Sequence, residues 1–161
     1  MRFGVTALVI SMVSLAGAGA RAVEPQALPA FEVVSPAGAA VASAELSREA
    51  HWLLVYVSAA GCGSCDRLIA SLEQWRPTLP QSRVVIVIRG SRDAAHAFAT
   101  QHAIPDVAWY ADADESGVRA LGLQHVPALV AVERGRVAWV VTGVLNDPAA
   151  VEPMVRSWTA R

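Results

Sequence analysis

Trp52-Leu-Leu-Val-Tyr-Val57 leads through Ser58-Ala-Ala-Gly61 into Cys62-Gly63-Ser64-Cys65. Six consecutive apolar or aromatic residues read as a strand buried on both faces, as in the middle of a parallel sheet. Small residues break the run. A helix then follows from Cys62 to about Trp75, ended by Pro77, with Leu68, Ile69, Leu72 and Trp75 on one face. Both cysteines of the chain therefore fall where a buried strand meets a helix N-terminus. Thiolates are the nucleophiles of disulfide exchange, and the unpaired N–H groups and dipole of a helix start favour a thiolate at Cys62. Its pKa is expected below the free value of ~8.5. Cys65, one turn further in, is placed to attack a mixed disulfide. Two other roles compete with redox chemistry. A purely structural disulfide closing so short a loop would contribute only about 2 kcal/mol. A metal site would need ligands beyond two thiolates.

Working outward, Val84-Val-Ile-Val-Ile88 and Ala128-Leu-Val-Ala-Val132 repeat the buried-strand pattern. Ser91 caps a helix running to about His102 and closed by Pro105, followed by a short extended piece at Val107-Ala-Trp-Tyr110. Arg134-Gly135 turns the strand ending at Val132 into Val137-Ala-Trp-Val-Val141 as a hairpin. Asn146 or Asp147 caps a last helix; Pro148 suits its first turn, whereas Pro153 argues that its regular part starts later. Before the first long strand stand Phe31-Glu-Val-Val-Ser35, a short strand ended by Pro36-Ala-Gly38, and a short helix or turn over Ser43 to Ala50. Strands alternating with helices predict an α/β sandwich around a parallel core with an antiparallel hairpin at one edge.

Composition agrees. The 161 residues are 54% apolar and 17% charged, which excludes a disordered chain. The net charge of −1 gives no basic surface for nucleic acid. All 13 basic residues are Arg. Residues 1–22 read as a secretory signal: a positive start at Arg2, an apolar run from Phe3 to Leu15, and Ala20-Arg21-Ala22 as cleavage site. An uncleaved anchor is the lesser alternative, because the run is short of the ~20 residues that span a bilayer. Residues 23–30, with Pro25 and Pro29, read as a linker, and 31–161 as one domain. An exported chain meets an oxidising compartment, where two nearby cysteines can pair.

From Phe31 onward the sequence resembles the thioredoxin superfamily, and within it the exported TlpA/ResA-like thiol-disulfide oxidoreductases. Three features carry the resemblance: the strand leading into Cys62-Gly-Ser-Cys65, the segment His125-Val126-Pro127 before a strand, and the helix and extended piece from Ser91 to Tyr110 between core strands. The resemblance implies a three-layer sandwich with a mixed central sheet, an extra N-terminal strand and a helical insertion. It makes Cys62 the attacking and Cys65 the resolving cysteine, with Gly63, Ser64, Val126 and Pro127 forming the active-site loops. Pro127 would be in cis, and the Val126 backbone would pair with substrate. It implies a periplasmic, monomeric protein acting on protein thiols or disulfides, supplied by a membrane-bound or soluble thiol donor. No cofactor is implied beyond a redox-active Cys62–Cys65 disulfide. There are departures: Tyr56 stands where the family often has a buried acid, Gly61 where an aromatic residue is common, and the dipeptide is Gly-Ser.

A reductase role follows from the resemblance alone. An oxidase or isomerase on the same fold is a second reading, and a copper carrier using Cys62, Cys65 and His125 a third. His125 could also tune the thiolate. His51, His96 and His102 are expected at the surface, Asp66 as a solvated first-turn acid, and Asp112, Asp114 and Glu115 as a solvated loop. The five tryptophans, Trp52, Trp75, Trp109, Trp139 and Trp158, are expected mostly in the core.

Overall fold

A computed structural model describes residues 26–46, 51–75, 84–102, 107–142 and 148–160. The signal at 1–22, the helix stops at Pro77 and Pro105 and the cap at Asn146 or Asp147 lie outside the described residues. In chain order the elements are β1 (Gln26–Ala27), β2 (Glu32–Val34), β3 (Ala40–Ala42), α1 (Ser43–Leu46), β4 (His51–Ser58), α2 (Gly63–Trp75), β5 (Val84–Arg89), α3 (Arg92–Gln101), β6 (Ala108–Asp112), α4 (Ser116–Ala120), β7 (Ala128–Glu133), β8 (Arg136–Thr142), a 3-10 turn (Pro148–Ala150) and α5 (Glu152–Thr159).

All eight strands join one mixed sheet in the order β1-β8-β7-β4-β5-β6-β2-β3. Parallel pairs β4–β5 and β5–β6 form its centre, and antiparallel pairs flank them. Successive strand residues point to opposite faces. Leu53, Val55, Val57, Ile86 and Ile88 pack against Leu68, Ile69 and Trp75 of α2, Phe98 of α3, and Val155 and Trp158 of α5. Leu54, Tyr56, Val85, Val87, Val130 and Val132 face the other way, against Phe31, Leu46 and Leu123. That double burial is why β4 and β5 read as unbroken apolar runs. The crossovers through α2 and α3 lie on one face because the strands advance in one direction, as right-handed connections require. After β6 the chain returns to the far side of β4, and Val118 of α4 packs on the second face. The result is the expected α/β three-layer sandwich with a mixed sheet, an N-terminal strand and an inserted helix.

Several local expectations change. Within the stretch read as a linker, Gln26 and Ala27 pair with Val137 and Arg136 on the sheet edge. Ala40–Ala42 is a strand folded back on β2, unforeseen because two alanines and one valine carry little strand preference. The regular part of α5 starts at Glu152, with Pro153 in its first two positions, where a missing N–H costs nothing. Trp75 and Trp158 are buried, while Trp52, Trp109 and Trp139 are only partly so. His51 is not at the surface. It is buried at the start of β4, edge-on to Trp158 at 5.5 Å, with Nε2 3.6 Å from Glu133 Oε1 on the paired strand β7.

Candidate functional site

The end of β4 delivers the cysteines. Ala59 N donates to Arg89 O at 3.1 Å, holding the chain beside β5 as it leaves the sheet. Gly61 then takes φ +36°, and a Cβ there would meet nothing within 4 Å. Space is not the constraint at this position; the left-handed backbone is, and it accounts for glycine in place of an aromatic residue. The carbonyl of Cys62 accepts from Cys65 N (2.9 Å) and Asp66 N (3.2 Å), which makes Cys62 the entry residue of α2.

Cys62 and Cys65 are joined in a disulfide with Cα atoms 5.2 Å apart. Their surroundings differ. Cys62 is half-buried, and its Sγ accepts from Cys65 N at 3.2 Å and lies 3.6 Å from Ser64 Oγ. Cys65 is 0% exposed, packed in the core of the α2 face, and its Sγ accepts from Ser58 N at 3.4 Å. A backbone N–H aimed at the outer sulfur from the first turn of a helix favours negative charge there. Around Cys62 the chain from Ser58 to Ser64 carries no charged side chain.

The second predicted loop comes to the same end of the sheet. β7 runs antiparallel to β4 with Ala128 opposite Tyr56 as the last pair. Pro127 and Val126 therefore enter the sheet beside the end of β4, from which the cysteine loop departs. The Val126–Pro127 bond is cis. Pro127 is buried, Val126 half-buried and His125 exposed. Among the described residues, no three His, Cys, Asp or Glu side chains gather as a metal site would require.

Two polar features near this end correct the sequence reading. Asp112 is not part of a solvated loop: it is 0% exposed at the end of β6. Its carboxylate accepts from Gly117 N (3.3 Å) and Val118 N (3.1 Å), satisfying the start of α4, with Ser116 Oγ at 3.5 Å. It lies near the phenol of Tyr56, whose pKa is pushed up by burial and further by the Asp112 charge. Gly117 is packed against both. A Cβ there would stand 2.2 Å from Tyr56 Oη and 3.1 Å from Asp112 Oδ2. Asp114 and Glu115 remain in solvent contact; Asp114 accepts from Ser116 N, which holds its carboxyl below the usual range, and Glu115 pairs with Arg89 at 2.7 Å. The other correction concerns His102, whose side chain is only 15% exposed and whose Nε2 lies 3.2 Å from Asp66 Oδ1. Asp66 is 53% exposed but not unpartnered. Neither pairing had a sequence signal, since one histidine and one aspartate far apart in the chain form no pattern.

No family model matches the sequence, and no relative was found among curated proteins. Solved structures do match. A secreted Mycobacterium tuberculosis disulfide oxidoreductase, homologous to E. coli DsbE, superimposes with TM-score 0.64 at 17% identity, covering 79% of this chain and 95% of its own. The thioredoxin domain of a thiol-disulfide oxidoreductase from Bacteroides vulgatus gives 0.64 at 13% identity, over 83% and 95%. A thiol peroxidase from Chromobacterium violaceum gives 0.64 at 14% identity, over 83% and 86%. At these identities the likeness is one of fold: the chain has the thioredoxin fold, shared with thiol-disulfide redox proteins, and carries a disulfide-bonded cysteine pair at the start of α2. No helix among the described residues is long and apolar enough to cross a membrane.

Proposed function

We propose that the protein is an exported thiol-disulfide oxidoreductase that exchanges disulfides with protein cysteines and works as a reductase. The observation that carries this reading is the asymmetry of the pair: Cys62 half-buried with a backbone N–H on its sulfur, Cys65 fully enclosed behind it.

In the reduced protein the Cys62 thiolate attacks one sulfur of a substrate disulfide. A mixed disulfide forms, and the first substrate sulfur leaves as a thiolate and takes up a proton. Cys65 gives up its proton and attacks Cys62 Sγ. The Cys62–Cys65 disulfide closes, and the second substrate sulfur leaves. Two electrons have passed to the substrate, and an external dithiol donor restores the pair by the reverse exchange. Gly63 and Ser64 keep the approach to Cys62 small and uncharged. Val126 offers its backbone to an extended substrate segment, with Pro127 beside it. His125 stands exposed on that loop, and a positive charge there would stabilise the thiolate and raise the potential only from a position close to Cys62. The periplasm is the compartment this reading requires, with residues 1–22 as the export signal.

Charge supports the direction that the resemblance implies. A strong oxidant needs a very stable thiolate at the first cysteine, and the helix start alone supplies on the order of 1 kcal/mol. Since ~30 mV corresponds to ~1.4 kcal/mol for a two-electron couple, the potential is expected well below the roughly −120 mV of DsbA. The protein should reduce insulin with dithiothreitol as donor. A glutathione equilibration giving a potential near −120 mV would overturn the reductase reading and favour an oxidase.

A further inference from the structure

A polar contact ties the helix that carries the cysteines to the C-terminal cap of α3. Asp66 follows Cys65 directly in the first turn of α2, and its Oδ1 lies 3.2 Å from His102 Nε2. The imidazole is held from the α3 side. His102 is the C-cap residue, with its N–H bonded to Phe98 O, and its ring lies on the Phe98 ring at a centroid distance of 4.3 Å. Phe98 belongs to the core of that face. The ring is thus fixed by packing, and the exposed Asp66 meets it.

A carboxylate in the first turn shares the helix dipole with a negative Cys62 sulfur, although the first-turn N–H groups of Cys65 and Asp66 are directed to Cys62. Two negative groups at one helix end oppose each other. An imidazole N–H or imidazolium on the carboxylate offsets that opposition. The remaining charged groups nearby do not substitute for it. Arg67 is exposed on α2; Arg92 and Asp93 stand at the other end of α3, 3.6 Å from one another; His96 is edge-on to Trp109. The loop from Ser58 to Gly61 is uncharged, and His125 belongs to the separate Pro127 loop.

We infer that His102 is a positioning residue for the redox centre: by engaging Asp66 it frees the start of α2 to stabilise the Cys62 thiolate. The inserted helix is then part of the electrostatics of the cysteines as well as a layer of the core. This inference rests on Cys62 being the attacking thiol.

The test is a double-mutant cycle on the full chain, reading the thiolate absorbance of reduced protein across pH. His102→Ala should raise the Cys62 midpoint and leave about threefold less thiolate at a given pH below it. Asp66→Asn should lower the midpoint, and adding His102→Ala to Asp66→Asn should change it no further. The glutathione-equilibrium potential of His102→Ala should become more negative. His102→Gln, which keeps an N–H donor and the side-chain bulk, should recover part of the shift and serves in its place if the alanine variant does not fold. An unchanged midpoint in both His102 variants overturns the inference, as does a shift of equal size with and without Asp66. Insulin turnover of the unaltered protein is measured alongside. Absent turnover with an intact shift defeats the reductase reading alone, and turnover without a shift defeats this inference alone.

Discussion

The two faces of the sheet at the end of β4 are built on opposite terms. On the α2 face, Cys62 stands among Ala59, Ala60, Gly61, Gly63 and Ser64, where little side-chain volume is committed and the key partner is a backbone N–H. On the other face, two residues before the end of the strand, Tyr56 is 0% exposed and wedged against Gly117 beside the buried Asp112 carboxylate. The first region is open and can exchange partners. The second is closed to within an atom's width: the Asp112 carboxylate is consumed in starting α4, and the Tyr56 hydroxyl is buried with no hydrogen-bond partner among the described residues. The difference places chemistry where few packing contacts depend on it, and rigidity immediately behind.

The largest effect should come from closing the second region further. Gly117→Ala puts a methyl where 2.2 Å separates it from Tyr56 Oη. The loss should be about 3 kcal/mol in urea unfolding, with insulin turnover per folded molecule unchanged. A stable variant would mean that Tyr56 and α4 give way easily, and the contrast between the faces would collapse. Gly61→Ala should do the reverse. A left-handed residue other than glycine costs ~1 kcal/mol, but displacement of Cys62 should lower turnover on the order of 10-fold. Equal losses of turnover and stability would make Gly61 merely structural. The smallest effect is alkaline. The Tyr56 phenol titrates above its ordinary value of 10.0 in the folded state. The unfolded chain releases that proton first, so stability is complete below pH 10.0 and falls as pH rises toward the higher folded value. Tyr56→Phe should flatten that decline. Identical alkaline unfolding of the two proteins would show that the phenol is not shielded.

How much of this was legible depended on whether a pattern spanned several residues. The runs Trp52–Val57, Val84–Ile88 and Ala128–Val132 showed the buried strands, and the cysteine spacing after the first of them showed the site. Those same runs hid which face each residue takes, because both faces are apolar, so Tyr56 gave no hint of lying opposite the cysteines. Asp112, Asp114 and Glu115 are alike as residues. Only the end of β6 and the free N–H groups of α4 bury the first and leave the others in solvent contact. His51 and His102 were misplaced for a related reason. Each is defined by a partner on another element, Glu133 and Asp66, that no local spacing announces.

The N-terminal hairpin imposes an order on assembly. β2 and β3 pair across a short turn, but β2 meets the sheet through β6, and Ser116 Oγ bonds Glu32 O at a separation of 84 residues. A growing chain can close the hairpin early, yet its docking partner is among the later strands to be made. Until β6 arrives, one edge of β2 stays open, and the entropy of closing so long a loop must be overcome before that contact helps. The first strands synthesised are therefore among the last to be seated. A chain interrupted before β6 would leave the hairpin without the edge it completes.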